Sequence, residues 1–250
     1  AVSYLYYADR IYQINLAIAG IAIGTVVLPQ LSKLIELNNN LEIKSVQNKA
    51  LELSLFLSIP ATVALFIASA PIISALFGYG SFSELSVKNS ALALYYFAFG
   101  LPAFSLIKVF SSFFFARHDT KTPFYISLVS VLLNVIVSVA LFSKIGFIII
   151  PIATSISSWF NAITLYIFSR KRNFFTFNKI FIFRFPRILL SSLIMGLIFY
   201  YLLYMFSEKL IYSENFKFLY LLLSVLITLI CYVLISIFTK AFKLSDIKLN

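Results

Sequence analysis

Seven long apolar runs, separated by short polar segments, constrain this chain more than any other feature. They lie at about Ile11–Leu31 (extending back toward Val2), Leu51–Phe77, Ser90–Phe115, Pro123–Phe142, Gly146–Phe168, Ile188–Phe206 and Phe216–Phe238. A transmembrane helix needs about 20 predominantly apolar residues, and each run is of that order. Barrel strands are only about 10 residues long and alternate in polarity, which these runs do not. The expected fold is therefore all-α: a polytopic bundle of about seven transmembrane helices. Composition agrees, with 61% hydrophobic and 12% charged residues among 250. Soluble domains average about 45–50% and about 25%, so a soluble globular enzyme is excluded. With 28 Phe and 15 Tyr, disorder is excluded as well.

The net charge of +11 does not point to nucleic acid, because the basic residues sit in short loops between apolar runs. There they suit an anionic membrane leaflet, so membrane lipids are the expected partner and no nucleic acid is. One set of loops carries Lys33, Lys44 and Lys49; Arg117 and Lys121; Arg170, Lys171, Arg172, Lys179, Arg184 and Arg187; and Lys240, Lys243 and Lys248. The opposite set carries only Lys88, Lys144, Lys209 and Lys217. The positive-inside rule puts the first set, and the C-terminus, in the cytoplasm, and residue 1 on the outer side. A chain that starts outside without a basic signal region or an initiator Met is expected to have an earlier part. Cys231 is the sole cysteine, so no intrachain disulfide forms, and one His with one Cys cannot build a structural zinc site.

Breakers single out particular helices. Pro60 and Pro71 interrupt the second run and Gly100-Leu-Pro102 the third; each frees backbone carbonyls that a neighbouring helix or a cavity must satisfy. Gly20 and Gly24 form a small-residue pair at helical spacing, suited to a close helix approach. Thr122-Pro123 reads as a helix N-cap and first position, with Asp119 just before it. His118 in that loop reads as a solvated histidine rather than a proton relay, and Lys108 as an interfacial lysine.

Ionisable groups beside a membrane helix face a cavity or a partner. Asp9, Arg10 and Gln13 fall at spacings of three and four, on one helical face, with Asn15 further along. An arginine there suits a phosphate or pyrophosphate, because its planar fork makes paired charge-assisted bonds. It also suits an interfacial snorkel neutralised by Asp9, and spacing does not separate the two. Asn134 and Ser138 are four apart; Thr154, Ser155, Ser157 and Ser158 crowd the next run. These read as interhelical hydrogen bonds or as oxygen ligands for a hard cation. No catalytic motif is present, and Asp9 has no carboxylate partner beside it for paired acid–base work. The chain is expected to be no enzyme and to need no cofactor.

Tyr6-Tyr7-Ala8-Asp9-Arg10-Ile11-Tyr12-Gln13, followed by Gly24-Thr25-Val26-Val27-Leu28-Pro29, resembles the eighth-helix signature of the MurJ (MviN) lipid II flippases. Leu76-Phe77-Gly78-Tyr79-Gly80-Ser81-Phe82 resembles that family's loop after the ninth helix. Leu101–Phe104 and Phe114–Pro123 resemble its tenth helix and the cytoplasmic loop that follows, and Ala153–Trp159 its twelfth helix. The matches run in order over residues 4–165, while 170–250 match only as two further hydrophobic spans. The resemblance implies the C-terminal half, helices eight to fourteen, of a fold shared with multidrug and oligosaccharidyl-lipid exporters. It divides the chain into most of one transporter lobe (1–169), a basic cytoplasmic loop (170–187) and two extra helices with a short tail (188–250).

The same resemblance implies a bacterial inner-membrane protein that moves lipid II, an undecaprenyl-pyrophosphate-linked peptidoglycan precursor, from the inner to the outer leaflet by alternating access. Arg10 matches a cavity arginine that engages the pyrophosphate and Asp9 its acidic neighbour, while Gln13 stands where some members have glutamate. Asn134, Thr154 and the Ile150 backbone match a sodium site described for the family; Ser138 stands where that site wants an aspartate. Helices one to seven would come from a missing N-terminal half, so the chain resembles a truncated, split or decayed flippase. Two other readings fit the same pattern: a drug or ion antiporter of that superfamily, and a non-transporting membrane remnant.

Overall fold

In the computed structural model, residues 2–17 and 22–242 are described, and among them the regular structure is helical. The helices are α1 (Val2–Leu16), α2 (Ala22–Glu36), α3 (Asn40–Phe77), α4 (Glu84–Ala98), α5 (Leu101–Phe115), α6 (Lys121–Ile145), α7 (Ile149–Lys171), α8 (Lys179–Met205) and α9 (Lys217–Phe238). Four continuous stretches are long and apolar enough to cross a membrane: α3, residues 121–171, α8 and α9. The second is 51 residues long, twice what a bilayer needs, and it folds back at Gly146, whose φ is +74°. Asn134 bonds to Thr154 and Ser157 while Asn161 bonds to Ser127. As one partner number falls the other rises, so α6 and α7 are two antiparallel spans.

The third apolar run is a broken helix, α4 and α5 meeting at 41°. Gly100 and Pro102 cause the break, and α7 satisfies it. The Ser155 hydroxyl donates to Tyr96 O at 2.7 Å and Trp159 Nε1 to Phe99 O at 2.9 Å. A Cβ on Gly100 would sit 3.0 Å from Ser155 Oγ, so glycine permits this close approach. The first run comprises two helices, α1 and α2, of 15 residues each. Gly20, and with it the expected Gly20–Gly24 approach, lies outside the described residues, as does the Asn15 side chain.

Only one of the two prolines in α3 bends it. The non-helical residue is Ala68 (φ −114°, ψ 18°), three positions before Pro71, where the ring displaces the preceding turn; α3 stays helical through Pro60.

Helix α8 starts nine residues earlier than its apolar run, so the segment expected as a basic loop is helical from Lys179. Asn178 caps it, its side chain accepting from Phe181 N at 2.7 Å. Arg184 is accommodated between the helices by pairing with Glu52 of α3 at 2.8 Å. Asn178 and Arg184 meet α3 at separations of 130 and 132 residues, so α3 and α8 run parallel. Further along, Gly196 lets Val63 approach to 2.6 Å of where a Cβ would stand. Helix α9 returns antiparallel, with Tyr232 OH donating to Phe56 O and Lys217 Nζ to Gly78 O.

At the basic end, the α7–α8 connection is clamped. Gln47 donates to Phe174 O and Asn48 to Thr176 O, both at 2.9 Å, and Asn48 accepts from Asn178 N. Phe175 is buried between Phe113 and Phe177. Arg117 stacks on Phe174 at 4.5 Å and donates to Phe113 O. Arg172 pairs with Asp119. The N-cap position of α6 is Thr120 and not Thr122, and Asp119 just before it supplies the capping bonds: Thr122 N and its hydroxyl both donate to the Asp119 carboxylate. Thr122 lies inside the helix, which begins at Lys121. His118 is an exposed turn residue with φ +59°.

Burial acts to raise the Asp119 carboxyl, but the Thr122 amide and hydroxyl and the Arg172 guanidinium outweigh it and hold the group below its ordinary value of 3.8. A carboxyl lowered on folding stabilises the folded state above that value and loses this contribution as pH falls below it. Taking the pH from about 6 to about 3 should lower the melting temperature more in the parent chain than in Asp119→Asn. Equal falls in both would show that this carboxylate does not secure the loop.

Candidate substrate-binding face

Helix α1 has two faces. Ala8, Ile11 and Tyr12 are buried against α4 and α5, and Tyr12 contacts the Phe97 and Phe104 rings at 5.4 and 5.6 Å. The opposite face carries exposed Tyr6, Arg10, Gln13 and Ile14, with Asp9 half-buried at its edge. Two successive turns thus place a cation, an acid and an amide on a side of α1 where Arg10 and Gln13 are exposed.

The structure joins Asp9 to Gln13 and sends Arg10 elsewhere. Gln13 Nε2 donates to Asp9 Oδ2. Arg10 Nη2 donates to the Tyr6 hydroxyl at 3.0 Å, and its guanidinium lies 4.8 Å from the Tyr6 ring centre. Asp9 and Arg10 therefore attract one another through space without closing an ion pair. Tyr6 holds the guanidinium by one face and one nitrogen, which leaves N–H groups of the fork for an incoming anion. Sequence reasoning missed Tyr6, although its spacing of four from Arg10 is the signal for such a pair.

On α6 and α7 the four residues expected together are together. Ser138 Oγ donates to Asn134 Oδ1 at 3.4 Å, Asn134 Nδ2 to Thr154 Oγ1 at 3.1 Å, and Thr154 Oγ1 to Ile150 O at 2.8 Å. The donor set is neutral, and its oxygens already share hydrogen bonds with one another. Among the described residues no group of three or more His, Cys, Asp or Glu gathers to hold a metal. The string forms a polar seam between the two helices, and a hard cation there would need several further oxygen ligands.

A groove of about 760 Å³ opens among α3, α5, α7 and α8. Its walls are apolar, including Leu55, Ile59, Leu106, Phe110, Tyr166 and Leu189. Phe177, Phe181 and Phe185 close its end toward the basic loops, stacked in series at 5.0 and 5.9 Å. Nothing in it binds a charge, so it offers room for hydrocarbon.

A family model described as lipid II flippase MurJ matches residues 1–222. The chain belongs to the MurJ family. A probable lipid II flippase MurJ of Rickettsia prowazekii (strain Madrid E) is 38% identical over 219 residues, covering 84% of this chain and 43% of that protein. One from Rhizobium meliloti (strain 1021) is 40% identical over 198 residues, covering 78% and 37%. Among solved structures, a lipid II flippase MurJ in an inward closed conformation matches with a TM-score of 0.77 at 30% identity, covering 96% of this chain and 47% of that one. The chain thus spans less than half the length of these MurJ relatives. The MurJ match also runs through α8 and into α9, so the C-terminal spans carry more of the family's pattern than their hydrophobicity alone revealed.

Proposed function

We propose that this chain forms one wall of a lipid II flippase of the bacterial inner membrane, the other wall coming from the family's N-terminal helices. The observation that carries this reading is the exposed side of α1, where Tyr6 holds Arg10 and the neighbouring acid closes no ion pair with it. A pyrophosphate presents oxygens to a planar guanidinium in a matching fork. Asp9, held by Gln13, sits beside that position and orients the head group by repulsion and hydrogen bonding. The apolar groove beside α8 is suited to hydrocarbon such as the prenyl tail, which stays in lipid while the head group crosses.

No bond is made or broken. Transport needs only a site that binds the head group differently in inward- and outward-facing states, with two lobes rocking about it. One lobe cannot enclose such a ligand, so a segment supplying the first helices is the expected partner. The loop charges orient the basic end, and with it the C-terminus, to the cytoplasm. Membrane potential is available as a driving force, at about 2.3 kcal/mol per charge per 100 mV. Cation coupling at Asn134, Ser138, Ile150 and Thr154 would need oxygen ligands from the N-terminal helices as well.

Genetic complementation tests the reading. Bacteria depleted of their own lipid II flippase should recover growth when this chain is co-produced with a matching N-terminal half. Rescue by this chain alone would contradict the two-lobe account, and absence of rescue by the inserted pair would contradict the substrate.

A further inference from the structure

We infer that the outer end of the α8–α9 hairpin positions Arg10: Lys217 fixes the α3–α4 loop, and that loop sets where α1 stands. Lys217 is 1% exposed, although it is the first residue of an apolar helix. Its ammonium donates to Gly78 O at 2.6 Å and Tyr212 O at 2.7 Å. The charge lies 4.3 Å from the Tyr79 ring centre and 4.7 Å from that of Tyr212. A buried cation held by carbonyls and aromatic faces is expensive unless every contact is made, so it defines one arrangement of the loop. The Tyr212 hydroxyl adds a bond to Phe82 O at 2.7 Å. Gly78 cannot be replaced without a shift, since a Cβ there would meet Ser74 O at 2.5 Å.

The loop's flanking rings then grip α1. Phe77 and Phe82 each lie 4.8 Å from the Tyr7 ring. Tyr7 meets Tyr6 edge-on at 5.8 Å, and Tyr6 holds Arg10. A continuous series of contacts thus runs from the C-terminal hairpin to the guanidinium. Lys217 touches nothing on the exposed face of α1, so it is a positioning residue. Its consequence for transport rests on the proposed role of Arg10, whereas the placement of α1 is measurable without any substrate.

The test uses paired spin labels in the full chain in lipid nanodiscs, with Cys231→Ser as background. One pair, Val2→Cys and Leu85→Cys, reports α1 against α4; a control pair, Val139→Cys and Ile156→Cys, reports α6 against α7. All four positions are exposed. Lys217→Met should cost the first pair its single narrow distance and leave the control pair unchanged, and Lys217→Arg should restore it. Tyr212→Phe, which deletes only the hydroxyl bond, should broaden the first pair in the same direction and decides the matter if Lys217→Met does not fold. A narrow first distance in these variants would overturn the inference, as would equal broadening of both pairs. Loss of transport in Arg10→Ala is a separate outcome, so the failure of either claim is distinguishable from the failure of the other.

Discussion

Arg10→Ala is expected to abolish growth rescue by the paired halves while leaving membrane insertion unchanged. The guanidinium lies on the exposed face of α1, and its contacts among the described residues are with the likewise exposed Tyr6. Hydrogen bonds to charged groups contribute about 1.5–3 kcal/mol each. Losing a bidentate pair therefore costs roughly a hundredfold or more in head-group affinity, at about 1.4 kcal/mol per tenfold. Arg10→Lys should retain the charge but lose the fork, and so fall between the two. The measurement is the growth of depleted cells, with an immunoblot of membranes for each variant. Normal growth of Arg10→Ala cells would remove this residue from the substrate site.

Asn48→Ala should be strongly destabilising. Asn48 is fully buried and makes bonds in three directions: to Lys44 O at 2.8 Å, to Thr176 O at 2.9 Å, and from Asn178 N at 3.0 Å. Alanine leaves the last two backbone groups without this partner, at about 1–3 kcal/mol for each buried group. It also loosens the residue that caps α8. A loss on the order of 3 kcal/mol follows, read as a lower unfolding midpoint in detergent or nanodiscs. Asn48→Asp is the informative companion, because it keeps the acceptor for Asn178 N and deletes the donor to Thr176 O. A midpoint within experimental scatter of the parent for Asn48→Ala would mean that the α7–α8 connection is held by its phenylalanines alone.

Much of the architecture is legible in the sequence because span length and loop charge are local properties. The breaks at Gly100 and Pro102, and the polar pairs at spacing four such as Asn134 with Ser138, are legible for the same reason. What escapes is set by residues far apart in the chain. The start of α8 is hidden because Arg184 looks like a loop residue until Glu52, 132 positions away, is placed beside it. Pro60 and Pro71 look alike, yet only the second has its bend expressed, at Ala68. Lys217 counts as an ordinary outer lysine in a tally of loop charges, and only the fold shows it buried against the carbonyl of Gly78. In the candidate site, the spacing of Asp9, Arg10 and Gln13 placed them on one face. It could not say that Asp9 would turn to Gln13 and leave Arg10 to Tyr6, because that depends on rotamers rather than on register.

The most direct test of the central claim, that this chain is one wall of a lipid II cavity, is a translocation assay in proteoliposomes. Labelled lipid II is loaded into vesicles containing this chain, an N-terminal half of the family, or both, and its exposure on the opposite leaflet is followed with a membrane-impermeant reagent. The account predicts rapid exposure only when both halves are present, and its loss when Arg10 is replaced by alanine. Equal exposure with this chain alone, or none with the assembled pair, would contradict it.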